Sequence, residues 1–106
     1  MKKVFTEAEM QLGENSERGT AFFAGTFAAK EAVFKLFQRN WQKNESFLDI
    51  EILRGSWGQP IVNLYSGFER QLSYTNYVTV SISYEDDMVV AAATMNEMEM
   101  LHTSAR

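Results

Sequence analysis

The sequence predicts an α+β domain in which a small antiparallel sheet packs against one long central helix. Three observations carry that prediction. From about Thr20 to Trp41 the aromatic residues Phe23, Phe27, Phe34, Phe37 and Trp41 recur at intervals of 4, 7, 3 and 4, which is helical spacing. Two later stretches, Tyr77 to Tyr84 and Met88 to Met95, read as strands joined by the acidic turn Glu85-Asp86-Asp87. No internal repeat or linker interrupts the chain, so residues 1–106 form a single domain with a polar tail over 96–106.

The elements follow in order. Thr6-Glu-Ala-Glu9 reads as a capping box, in which the Thr6 hydroxyl and the Glu9 carboxylate satisfy free amides at a helix start. That helix is short and stops near Gly13, and the polar run Glu14 to Gly19 is a loop. On the long helix Val33, Leu36 and several alanines widen the apolar face, which marks it as the buried one. After a polar loop, Gln42 to Ser46, the run Phe47 to Leu53 alternates in its middle like a strand with one wet face. Arg54 to Pro60 is turn chemistry, Ile61 to Leu64 a returning strand, and Tyr65 to Ser73 a short amphipathic helix. Val78, Val80 and Ile82 share one face of the next strand, with Thr79, Ser81 and Ser83 on the other. The last strand is small and apolar on both faces, as expected of an interior strand covered on both sides.

Composition limits the function. With 45% apolar residues, including 8 Phe, 2 Trp and 4 Tyr, the chain can bury a modest core. A net charge of −4 argues against a nucleic-acid partner, whose phosphates need clustered Lys and Arg. The absence of cysteine excludes disulfides, thiolate catalysis and Cys-ligated zinc. No apolar run approaches the roughly 20 residues needed to span a bilayer, and the start Met1-Lys-Lys-Val-Phe5 is followed at once by charged residues, leaving no signal-peptide core. The expectation is a cytoplasmic protein without a membrane partner.

Two charges sit where a buried helix face should be apolar. With Phe27 at 0° and about 100° per residue, Phe23, Phe34, Phe37 and Trp41 fall between about 280° and 340°. Lys30 lies within that band and Glu31 at its edge, with Lys35 one turn further on. Such charges are costly unless paired or bound to a metal. The bland reading is a Glu31–Lys35 surface pair beside a snorkelling Lys30; the functional reading is a site.

The words around these residues resemble a known family. Phe22-Phe-Ala-Gly-Thr-Phe-Ala-Ala-Lys-Glu-Ala-Val-Phe-Lys35 is similar to the segment of 4′-phosphopantetheinyl transferases built on a Lys-Glu-Ala-x-x-Lys core. Val4 to Glu9 resembles the short helix that precedes it in the small, trimer-forming holo-acyl carrier protein synthase type. Asp49-Ile-Glu-Ile-Leu, Gly58-Gln-Pro60 and the run from Val80 to Ala91 follow in the family's order, so the resemblance spans about residues 4 to 95. It implies Mg²⁺-dependent transfer of the phosphopantetheine arm of coenzyme A to a serine of an acyl carrier protein, such as those of fatty acid or polyketide synthesis. Within that implication Glu31 is the metal ligand, and Lys30 and Lys35 lie near the phosphates, Lys35 with Glu31 as the catalytic pair. Gly58 and Pro60 form a turn beside the coenzyme, and Ser81, Ser83 and Tyr84 border the same cleft. The resemblance also implies a homotrimer with sites between protomers.

The sequence departs from that pattern at defined places. Family members carry a first strand with a Gly-x-Asp-type motif, whose aspartate is the other metal ligand, and then a basic helix that docks the carrier. Here the pattern is met after both, and no Asp precedes Asp49. Ala21 and Thr26 stand where arginines are expected, and Tyr84 where the family has histidine. These groups are expected to hold coenzyme A phosphates. The alternative is therefore an impaired homologue that binds a partner, or one subunit of a split transferase whose partner chain supplies the missing strand. A generic α+β binding domain is the third reading.

Overall fold

The structure, a computed structural model, describes residues 3–37 and 46–98. Helix α1 spans Glu7–Glu14 and starts as the sequence predicts. The Thr6 hydroxyl accepts from the Glu9 amide at 3.2 Å, and the Glu9 carboxylate accepts from the Thr6 amide at 2.8 Å. Helix α2, Gly19–Leu36, is the central element and ends at Phe37. The predicted extension to Trp41 lies outside the described residues.

Antiparallel strands β1, Ile50–Arg54, and β2, Pro60–Leu64, form one hairpin. Its turn is closed by the Gly55 amide on the Gln59 carbonyl at 2.7 Å, and Gly58 takes the left-handed φ of 85° that a side chain would resist. The single-turn helix α3, Ser66–Arg70, puts Phe68 into the core. Strands β3, Asn76–Glu85, and β4, Met88–Glu97, make the second hairpin, with Ile82 opposite Ala91. Its tight turn holds Asp86 at φ 53°, a conformation Asp tolerates better than most residues. Each hairpin is a separate two-stranded sheet.

The core joins one face of α2 to β1 and α3. Ala29, Val33, Phe37, Ile50, Ile52 and Phe68 are its buried members, and Val78, Val80, Ile82, Ala91 and Ala93 pack on it from the second hairpin. Thr79, Ser81 and Ser83 face away from it, as their alternation predicts. Among the described residues no helix is long and apolar enough to cross a membrane.

Four expectations need correction. Phe47–Asp49 is a 3₁₀ turn capped by Ser46, so the strand starts at Ile50; the Ser46 hydroxyl and Asp49 carboxylate outcompete extended backbone there. Glu51 is not on a wet face. It is buried with Ile50 and Ile52, because α1 covers the edge that alternation alone leaves open. Strand β4 is not covered on both sides: among the described residues it pairs with β3 alone, and Val90, Ala92 and Thr94 are exposed. The buried face of α2 is also rotated from the aromatic stripe. Phe22, Gly25, Thr26, Ala29, Lys30 and Val33 are buried, whereas Phe27 is 37% exposed. Small residues let the hairpin approach the helix closely, and the larger rings pack with one another at its side, as Phe27 and Phe34 do with Phe47.

Candidate functional site

The Lys-Glu-Ala-x-x-Lys word is split by the helix into an inner and an outer part. Lys30 points inward and is fully buried; its ammonium donates to Glu9 Oε1 at 2.6 Å. Glu9 is equally buried, and its other oxygen accepts from the Ile52 amide at 2.7 Å. One carboxylate thus ties α1, α2 and β1 together. Burial pushes the Lys30 ammonium below its ordinary pKa, against the hydrogen bond and charge of Glu9 and the charge of Glu51. The expectations that Lys30 lies at coenzyme phosphates, or snorkels to solvent, are both corrected: its ammonium is engaged inside the protein.

Glu51 completes this polar cluster. It accepts from the Thr6 hydroxyl at 2.6 Å, from Asn63 Nδ2 at 3.3 Å and from the Tyr65 hydroxyl at 3.1 Å. Burial alone would raise its pKa; those three hydrogen bonds and the Lys30 charge together hold it below the ordinary carboxylate value.

Glu31 and Lys35 point the other way. Both are exposed, and neither has a hydrogen-bond or ion-pair partner among the described residues, so the expected surface pair does not form. With Ala28 and Ala32 they line one side of an open groove of about 560 Å³, with Val89 to Ala93 of β4 opposite. The alanines keep the groove clear above the helix, and the unpaired edge of β4 forms its far wall. An exposed carboxylate and an exposed ammonium one turn apart suit an oxyanion, the ammonium directly and the carboxylate by way of a cation it would hold.

The other expected site residues do not meet Glu31. Gly58 and Pro60 lie in the β1–β2 hairpin, where Gly58 has open space around it. Ser81 and Ser83 are on the face of β3 turned away from α2. Tyr84 is on the inner face and lines a second, smaller pocket with Ser16, Arg18, Ala21, Phe22 and Arg54. Sequence reasoning missed Glu9, Glu51, Arg18 and Arg54. The small residues Ala21, Gly25, Ala28 and Ala32, spaced 4, 3 and 4, were the legible signal that something packs closely on that helix face.

A magnesium ion fits this groove in a limited way. The described residues hold no group of three His, Cys, Asp or Glu side chains. Glu31 is the one carboxylate among the residues lining the groove, and the remaining ligands would come from phosphate oxygens and water, a division magnesium accepts.

Known proteins match both the sequence and the fold. The family model described as the 4′-phosphopantetheinyl transferase superfamily matches residues 1–93. A holo-[acyl-carrier-protein] synthase from Chlorobaculum tepidum is 37% identical over 93 residues, covering 88% of this chain and 75% of that protein. One from Caldicellulosiruptor bescii is 38% identical over 96 residues, covering 88% and 77%. Among solved structures, the Bacillus anthracis holo-(acyl-carrier-protein) synthase in complex with CoA (3′,5′-ADP) superposes with a TM-score of 0.69 at 33% identity, over 93% of this chain and 80% of that one. The Helicobacter pylori enzyme in complex with coenzyme A gives a TM-score of 0.70 at 27% identity, over 88% and 77%.

Proposed function

The chain belongs to the 4′-phosphopantetheinyl transferase superfamily, and from that premise we propose that it acts as a holo-[acyl-carrier-protein] synthase. It transfers the 4′-phosphopantetheine group of coenzyme A to a serine hydroxyl of an acyl carrier protein. The observation that carries this reading is the exposed pair Glu31 and Lys35, without a partner among the described residues and open to one groove.

In the reaction the serine oxygen forms a bond to the β-phosphorus of coenzyme A. The bond from that phosphorus to the bridging oxygen breaks, and 3′,5′-ADP leaves with the electron pair; the serine proton passes to solvent or a base. Charge develops on the phosphate oxygens, so catalysis is positioning and electrostatics. Lys35 supplies a fixed positive charge at the groove. Glu31 would hold a magnesium ion, which when bound neutralises charge on the pyrophosphate. The buried Lys30–Glu9 pair serves the site indirectly. It fixes the rotation of α2, so that the residue next to Lys30 faces outward.

Two observations support an assembled or split form of this enzyme. The groove's lining carries one protein carboxylate, and β4 beside it has an edge unpaired among the described residues and able to take a further strand. A second copy or a partner chain could contribute both a strand and a carboxylate there, as in the trimer the resemblance implies. The test is release of 3′,5′-ADP from coenzyme A, dependent on an apo-carrier protein and on Mg²⁺. Glu31→Gln is expected to lower the rate by about 10²- to 10³-fold, the usual scale for one electrostatic group in a transition state. Activity only after adding a second chain supports the split form; a Glu31→Gln rate equal to wild type sinks the assignment of the groove.

A further inference from the structure

One buried ammonium in this core faces two buried carboxylates. Glu9 has clear partners in Lys30 and the Ile52 amide. Glu51 does not. Among the described residues it forms no ion pair, and the three groups that donate to it, from Thr6, Asn63 and Tyr65, are all neutral. A carboxylate taken out of water without a cation of its own carries a cost that an apolar residue there would not. Its place is explained by what it holds.

What Glu51 holds is the start of α1. Its shortest bond, 2.6 Å, comes from the Thr6 hydroxyl, and that oxygen is also the cap that accepts from the Glu9 amide. The Thr6 amide in turn donates to Glu9 Oε1, the oxygen that Lys30 also uses. The capping box is therefore a clamp as well as a helix start: Thr6 is bonded to a β1 side chain, and Glu9 to a β1 amide and to α2. The β1–β2 hairpin is braced to present Glu51 to this clamp. Asn63 sits directly opposite it in register, and Tyr65 reaches it from two residues further along. Ser66, directly after Tyr65, takes a left-handed φ of 56°, a strained conformation for a residue with a Cβ. Such strain persists where the surroundings over-determine it. Tyr65 is fixed at its hydroxyl by Glu51 and at its amide by the Asp49 carbonyl, at 2.9 Å.

Resting on the reading of the Glu31–Lys35 groove as the place of transfer, we propose that Glu51 is a positioning residue for that groove. Through Thr6 it seats α1 on β1. Helix α1 then fixes, through Glu9 and Lys30, the rotation of α2 at which Glu31 and Lys35 face β4. Thr6, Glu51 and Tyr65 line no part of the groove themselves, so they act on it only through this chain of contacts.

The chain has no cysteine, so a nitroxide attached to Ala32→Cys reports from the groove alone. Its spectrum is recorded without substrate in the wild-type background and with Glu51→Gln, Thr6→Asp, Thr6→Ser or Tyr65→Phe added. Thr6→Asp discriminates, because Asp caps a helix as well as Thr but, ionised, cannot donate to Glu51. Glu51→Gln and Thr6→Asp should give the label a second, more mobile component, and Tyr65→Phe a smaller one. Thr6→Ser, which keeps the hydroxyl, should give none. In unlabelled protein the first two should lower the carrier-loading rate by about 10²-fold, the scale of a misplacement of about 1 Å. They should also raise the Mg²⁺ concentration for half-maximal rate and leave the KM for the carrier unchanged. Wild-type spectra and Mg²⁺ dependence in folded Glu51→Gln and Thr6→Asp, whatever their melting temperatures, would make Glu51 merely structural and overturn the proposal. Should both fail to fold, Tyr65→Phe decides, and an unchanged spectrum there overturns it. Label shifts as expected in a protein whose wild type loads no carrier support the positioning and contradict the transferase reading instead.

Discussion

Lys30 and Glu31 are neighbours in the chain and opposites in role. The first is buried against Glu9; the second is exposed on the groove. Removing one member of a buried pair leaves the other uncompensated, so Lys30→Met is expected to cost about 3–5 kcal/mol of stability, read by urea denaturation. A stable Lys30→Met protein that has lost coenzyme A binding would contradict the structural role. Glu51 makes a pH-dependent contribution. Its folded pKa lies below the ordinary 4.5, so its stabilisation is present above that value and is lost as pH falls through the folded one. Unfolding free energy should therefore decline as pH drops below about 4.5, and Glu51→Gln should flatten that decline. Lys30 acts at the other end: with its folded pKa depressed, the unfolded chain binds more protons as pH approaches 10.5, so its burial penalty eases there.

At the scale of elements, the close approach of β3 to α2 depends on Gly25. A Cβ there would collide with the Tyr84 ring and hydroxyl. Gly25→Ala should thus displace Tyr84, offsetting the roughly 0.5–1 kcal/mol that Ala otherwise adds in a helix. In a Tyr84→Ala background the same substitution should raise the melting temperature; no gain there would mean another contact limits the helix. The elements themselves were largely legible in the sequence. The α1 capping box, both hairpins and the long helix follow from local rules, because capping, turn chemistry and alternation act within a few residues. What local rules could not give was the rotation of α2. Aromatic spacing pointed to the Phe23–Phe27 side, whereas close packing selected Gly25, Ala29 and Val33. For the same reason Lys30 read as a site residue: its partner, Glu9, is 21 positions away and appears only once α1 docks. Arg54 went unnoticed because its pocket is assembled from three separated segments.

For the whole molecule, fold and activity stand on different supports. The family and the fold rest on matches along most of the chain. The proposed catalysis rests on a groove lined by one carboxylate and one ammonium beside a strand edge unpaired among the described residues. The free edge of β4 and the exposed Met88 and Val90 leave room for another chain to complete it. The most direct measurement is the intact mass of an apo-acyl carrier protein after incubation with this protein, coenzyme A and Mg²⁺. The carrier should gain one phosphopantetheine on its serine with wild type, and little or none in the same time with Glu31→Gln. An unchanged carrier mass with folded wild-type protein, under conditions where a related synthase loads the same carrier, would contradict the account.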